Sequence, residues 1–259
     1  MRVSKRLREK RRARRREKRS NILRAIVATF AVILIVFGLY VGTFYRADKD
    51  AVNEYMPSVY VEEETLSDGS LAYVPDDATA GIIFYPGGRV SHKAYIPLMK
   101  ALAAKGIATV LVKMPFNLAV LKVSAADGIA EQFPNVESWY MAGHSLGGAM
   151  AASYAEANED DVEGLILLAA YSSKDLSDTD LRVLSVYGTN DEILNANKYE
   201  NRRSNLPDGF TEIVLEGANH SGFGMYGKQN GDGEATLSNV EQIELTADII
   251  ADFIFADKA

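Results

Sequence analysis

The pentapeptide Gly143-His144-Ser145-Leu146-Gly147 matches G-x-S-x-G, a spacing that can turn a serine into a nucleophile. An apolar run, WYMA, enters it and an alanine-rich segment, AMAASYAEA at 149–157, leaves it. That is the strand–turn–helix setting in which a sharp turn exposes Ser145 and a helix N-terminus stabilises negative charge beside it. A serine hydroxyl is a weak nucleophile and needs a neighbouring base. The chain has three histidines. His144 lies inside the pentapeptide and is expected to point away from Ser145, and His92 follows an early apolar run. His220 sits in the glycine-rich EGANHSGFG after the last apolar run, where a base that substrate can reach fits, and is the expected general base. An acid between serine and histidine would complete the order Ser…Asp/Glu…His. Asp191, in YGTNDE, is the expected residue, with Glu192 as the adjacent alternative and Asp175, Asp178 and Asp180 as weaker ones.

Charge developing on an attacked carbonyl oxygen needs fixed donors. Leu146 N–H is one. The loop Pro86-Gly87-Gly88-Arg89 should supply a second, from Gly88 or Arg89. Met114, Phe116 and Phe223 are candidates for lining the substrate pocket. Zero cysteines exclude a thiol nucleophile, disulfides and thiolate metal sites. Three histidines leave little for zinc, and Asp232 between two glycines reads as a turn, since one carboxylate falls far short of a calcium shell. No metal or organic cofactor is expected.

The elements that must position these residues alternate. SVYVEEE (58–64) and LAYV (71–74) flank Ser67-Asp68-Gly69-Ser70, a hairpin signal. Apolar runs at 81–85, 107–112, 164–169, 181–187 and 210–215 read as strands, and the run entering the pentapeptide as another. Tyr95, Leu98, Met99 and Leu102 fall on one helical face, as do Val240, Ile243, Ala247, Ile250 and Ile254. Helices are also expected over 117–133 and 195–205. The pattern predicts a mostly parallel eight-stranded sheet with helices on both faces and an antiparallel start.

The net charge of −7 conceals a division. Residues 1–24 hold 13 Lys/Arg and two Glu, leaving 15 basic and 33 acidic residues, net −18, for the rest. Between the two stretches lie 21 uncharged residues, 25–45, ~31 Å long as a helix and sufficient to cross a bilayer. The length exceeds a signal-peptide core, so an uncleaved anchor is expected. The basic flank places the N-terminus in the cytoplasm and the acidic domain outside. The tail would lie on anionic lipid headgroups, and no nucleic-acid module accompanies it. The expected division is thus a basic tail (1–24), a transmembrane helix (25–45), a polar linker (46–57) and a catalytic domain (58–259).

GHSLGG, with FYPGGRV at 84–90, VKMPFNLA at 112–119 and GANHSGFGMYG at 217–227, resembles the alpha/beta-hydrolase superfamily, in its compact membrane-anchored bacterial branch near the dienelactone-hydrolase-like enzymes. The resemblance covers about residue 57 onward. It implies Ser145, Asp191 and His220 as a triad and a small acyl or ester substrate. The family's His-Gly after the third strand is Pro86-Gly87 here, and only about ten residues (171–180) join strands six and seven, where a lid would enter. The expected function is an outward-facing serine hydrolase. Acyl transfer to an envelope acceptor, or ligand binding without catalysis, would use the same residues.

Overall fold

Successive side chains of a strand point to opposite faces, and both faces of β3 (Ala80–Tyr85) are apolar: Ala80, Ile82 and Phe84 on one, Ile83 and Tyr85 on the other. Such a strand is stable only when both faces are covered. The computed structural model describes the backbone of residues 2–256 and the side chains of 14–256, and it meets that requirement. The chain divides into two units, Met1–Thr43 and Phe44–Ala259.

The first unit is α1 (Arg2–Gly42), one continuous helix. Its Arg14–Gly42 portion is long and apolar enough to cross a membrane. The lipid contacts expected of the basic tail fall partly on residues 1–13, whose side chains lie outside the described residues.

The second unit is an eight-stranded sheet in the order β1-β2-β4-β3-β5-β6-β7-β8. β1 (Glu63–Thr65) and β2 (Leu71–Tyr73) form the expected antiparallel start. β1 is only three residues long, shorter than the SVYVEEE run suggests, and three successive glutamates at 62–64 keep this edge hydrophilic. β3, β4 (Ile107–Leu111), β5 (Ser138–His144), β6 (Gly164–Leu168), β7 (Arg182–Gly188) and β8 (Thr211–Leu215) run parallel. α3 (Ile96–Ala103) and α6 (Asn239–Phe255) cover one face and α4 (Leu146–Ala157) the other. α6 begins with a capping box in which Ser238 and Glu241 satisfy each other's backbone. α5 (Ala196–Arg202) links β7 to β8.

Three segments differ from expectation. The helix expected over 25–45 ends at Gly42, because Tyr45 is drawn into a bridge with Val90 in the second unit. Residues 46–57, read as a polar linker, contain α2 (Lys49–Glu54), capped by Asp48 and buried through Val52 and Tyr55. The two side chains lie at i and i+3, a short apolar stripe that docks on the core. The helix expected over 117–133 is instead four short 3-10 turns between Pro115 and Gln132. Phe116, Asn117 and Gly128 have φ of 52°, 56° and 72°, left-handed values that no helix accommodates.

At the C-terminal edge, β5 and α4 meet in a very tight turn. A Cβ built on Gly147 would lie 2.2 Å from the Tyr85 carbonyl oxygen and 2.3 Å from that of Pro86. Gly147→Ala must therefore displace backbone. It is expected to destabilise the protein by about 2 kcal/mol or more, read as a lower urea midpoint at unchanged slope.

Candidate active site

The strand order reverses between β3 and β5: β4 lies beyond β3 on one side and β6 beyond β5 on the other. In open α/β sheets the crevice at such a reversal, outside the strand C-termini, is where ligands bind. The loops after β3, β5, β7 and β8 all open onto that edge.

Ser145 follows β5 with φ 52° and ψ −122°, strained for a residue with a Cβ. Its N–H donates to the Leu168 carbonyl at 2.9 Å, which fixes the turn to β6. Ser145 and His220 border one cleft of about 360 Å³, walled by Ala149, Ala169, Tyr171, Ile193 and Leu194.

The acid and the base come from neighbouring strands. His220 Nδ1 lies 2.8 Å from Asp191 Oδ2, and the two side chains are 2% and 1% exposed. The other carboxylate oxygen accepts the N–H groups of Ile193 (2.9 Å) and Leu194 (2.7 Å). Asp191 therefore presents a single free oxygen to the ring, which receives the Nδ1 proton and leaves Nε2 as the basic nitrogen. His220 Nε2 is buried and has no hydrogen-bond partner. The Nε2 atoms of His92 and His144 are likewise buried without a partner, and of the three histidines only His220 lines the cleft. Glu192, the adjacent alternative, is exposed.

Asp232 holds the histidine loop from behind, a role that the turn reading missed. The residue is 6% exposed, and its carboxylate accepts His220 N–H (3.2 Å), Ser221 N–H (2.8 Å) and Ser221 Oγ–H (2.7 Å). Gln242 on α6 brackets Asn219, with Nε2 donating to its carbonyl at 2.9 Å and Oε1 accepting its N–H at 3.2 Å. The flanking glycines 231 and 233 were the only sequence signal for Asp232, and they read equally well as an exposed turn.

The loop after β3 sorts its own donors. Pro86 has no N–H. Gly87 N–H donates to the Tyr95 hydroxyl at 3.1 Å, and Arg89 N–H to the Asn117 carbonyl at 2.8 Å. Of the two candidates left open by the sequence, Arg89 is thus committed elsewhere and Gly88 N–H makes no hydrogen bond among the described residues. Leu146 N–H, the first of α4, has no intrahelical acceptor. The two are close: a Cβ on Gly88 would lie 3.2 Å from Leu146 Cβ.

His144 turns inward, as expected. Burial pushes the Tyr95 hydroxyl pKa up, so the hydroxyl keeps its proton; it accepts from Gly87 and donates to His144 Nδ1 at 2.8 Å. Burial, and then the charge that the neighbouring His220 ring can carry, hold the His144 pKa well below the ordinary histidine value. Its ring packs 4.5 Å from that of His220, centroid to centroid. His92 is likewise kept neutral: burial, with Lys113 and Lys93 nearby, lowers its pKa to about 4.

The three apolar candidates do not border the cleft. Met114 and Phe223 are buried in the cores on opposite faces of the sheet, and Phe223 packs against the His144 ring at 5.6 Å. Phe116, carried outward by its left-handed backbone, is 60% exposed. Among the described residues no group of three or more His, Cys, Asp or Glu could hold a metal ion.

The segment just after α1 ties the loops together. Tyr45 pairs with Val90 in a parallel bridge: its N–H donates to the Arg89 carbonyl (2.7 Å) and its carbonyl accepts Ser91 N–H (2.9 Å). Its hydroxyl accepts Asn230 N–H at 3.2 Å and its ring contacts Tyr226 at 5.7 Å. Asp48 N–H donates to the Met225 carbonyl at 2.8 Å. One strap thus spans the loop bearing Gly88 and the loop bearing His220.

Comparison with known proteins agrees with this architecture. No curated protein matches the sequence. Among solved structures, a predicted CIB-like hydrolase from Thermoplasma acidophilum superposes with a TM-score of 0.53 at 16% identity, over 75% of this chain and 98% of that one. A Thermus thermophilus protein gives 0.57 at 18% identity, over 76% and 98%, and a dienelactone hydrolase from Anabaena variabilis gives 0.53 at 16%, over 77% and 98%. At these identities the likeness is one of fold. The profile of the Alpha/beta hydrolase family matches residues 81–244, from β3 into α6 and across every loop of the cleft. The chain belongs to the alpha/beta hydrolase family, with a dienelactone-hydrolase-like fold.

Proposed function

We propose that the chain is a membrane-anchored serine hydrolase that cleaves a carboxylic ester or related acyl bond through an acyl-enzyme. The observation that carries this reading is the buried Asp191–His220 hydrogen bond, which leaves an open imidazole nitrogen on the cleft that Ser145 borders. His220 Nε2 takes the Ser145 proton as Oγ attacks the acyl carbon. Asp191 orients the ring and stabilises the imidazolium. The N–H groups of Leu146 and Gly88 hold the oxyanion. The imidazolium then gives its proton to the leaving alcohol, and a water activated by the same nitrogen releases the acid.

The short alanine side chains at 149, 169 and 170, the volume of about 360 Å³ and the absence of any helix between β6 and β7 favour a small or flexible acyl group reached without a lid. The apolar stretch of α1 supports a single membrane span, and the basic residues before it favour a cytoplasmic N-terminus with the hydrolase domain outside.

Reaction with a fluorophosphonate probe tests the proposal. Ser145 is the expected site of labelling, absent in Ser145→Ala. Asp191→Asn should lower kcat for a p-nitrophenyl ester by roughly three to four orders of magnitude with little change in KM. Unlabelled wild-type protein would refute the reading.

The depressed pKa values of His92 and His144 set the pH dependence. A base whose folded pKa lies below its ordinary value is already neutral near neutrality and gains its proton only at lower pH. Neither His144 nor His92 should therefore contribute an ionisation to log kcat/KM near neutrality, and the acid limb should be no steeper than unit slope. A slope approaching two would show that His144 is not held neutral.

The strap is expected to matter through geometry. Deleting residues 44–48 removes the bridge to Arg89 and Ser91 and should lower kcat/KM on the order of 10–100-fold while the sheet persists by circular dichroism. Unchanged turnover would show that the strap is dispensable.

A further inference from the structure

A groove of about 510 Å³ lies beside the strap, on the α3 side of the domain. Four cations line it: Arg46 and Lys49 from the segment after α1, and Lys93 and Lys100 from the turn and helix after β3. None of the four forms an ion pair among the described residues. The one acidic side chain in the lining, Glu63, accepts a hydrogen bond from the Tyr73 hydroxyl. Beyond residue 45 the chain has 15 basic and 33 acidic residues, so more than a quarter of its cations gather in one groove of an acidic domain. Like charges held together without counterions repel, and a bound anion relieves that repulsion.

Phe44, Val52 and Ile96 add apolar surface to the same lining, with Asn53 and Ser91 as its neutral polar members. Cationic ammonium and guanidinium groups beside apolar surface suit a phosphate that carries a glycerol or acyl stem better than a free inorganic ion. Chain connectivity supplies the location. Phe44 is two residues past Gly42, the last residue of α1, so the groove is tethered where that helix leaves the bilayer. We propose that the groove binds the phosphate head group of an anionic phospholipid in the leaflet from which α1 emerges. The site rests on the membrane placement proposed above, is separate from the cleft of Ser145, and uses residues outside the basic tail.

The test uses the full chain in bilayer discs of phosphatidylcholine, with or without phosphatidylglycerol as a minority lipid. The readout is the rate at which an amine-reactive reagent modifies Lys49, Lys93 and Lys100, with exposed Lys122 as internal reference. Phosphatidylglycerol should slow modification of the three groove lysines several-fold relative to Lys122. In Lys93→Gln/Lys100→Gln, at an unchanged melting temperature, the protection of Lys49 should be lost. Equal rates in the two discs overturn the proposal, as does protection of Lys49 that survives the double substitution, which would mark a general surface-charge effect. Inorganic phosphate protecting equally in phosphatidylcholine discs would assign the groove to a soluble anion and overturn the lipid. A chain that does not co-elute with either disc overturns the anchor and the lipid site together, whereas co-elution without protection overturns the lipid site alone.

Discussion

The backbone at Ser145 is held at φ 52° and ψ −122°, and the geometry of the cleft descends from that constraint. A residue with a Cβ stays in such a conformation only when its surroundings over-determine it. Here β5 enters at the centre of the sheet, the Ser145 N–H is fixed to Leu168, and Gly147 packs against the Tyr85 and Pro86 carbonyls at a distance no larger residue permits. The close approach brings the start of α4 against the loop after β3. Gly88 packs against the Leu146 side chain, and among the described residues neither backbone N–H has an acceptor. The strained turn thus sets Ser145 at the cleft with two unpaired backbone N–H groups on the segments that meet there.

The other half of the site is built from saturation. Asp191 spends one oxygen on two backbone N–H groups and has one left for the His220 ring. The backbone of His220 is held in turn by Asp232, and Asn219 by Gln242. In this Asp191–His220–Asp232 network the position left open is His220 Nε2, which has no partner among the described residues. Buried networks are stable when every member is satisfied, so the one open position is the place where an incoming group has most to offer. On the serine side the Tyr95 hydroxyl occupies Gly87 N–H and holds His144 Nδ1, and burial keeps the His144 ring neutral.

The strap joins these halves to the helix that precedes the domain. Tyr45 reaches both the loop of Gly88 and the loop of His220, so the residues that follow an apolar helix also brace the cleft. Residues 44–48 thus have a structural role that no motif in the sequence announces.

The amino-acid sequence by itself determined the sheet, its parallel sense and the apolar helix, and it singled out Asp191 and His220, which are hydrogen-bonded, and Ser145, which lines the same cleft as His220. Each rests on local periodicity or on short motifs at strand ends: alternation and unbroken apolar runs for strands, G-x-S-x-G for the turn, chain order for the acid and base. Tertiary structure decided what local pattern cannot encode. Residues 46–57 looked like a linker because only Val52 and Tyr55 are buried there, and the core that buries them is assembled from distant strands and helices. The helix expected over 117–133 gave way to left-handed residues at Phe116 and Asn117, where the Asn117 carbonyl is drawn to Arg89 N–H. Met114, Phe116 and Phe223 were plausible pocket walls as apolar residues near the motifs, but which way each side chain faces is set by packing, and packing turned two into the cores and one to solvent. The choice of Gly88 over Arg89, the anchoring by Asp232 and the gathering of Lys93 and Lys100 beside Arg46 and Lys49 all join residues far apart in the chain, and only the folded backbone brings such groups within reach of one another.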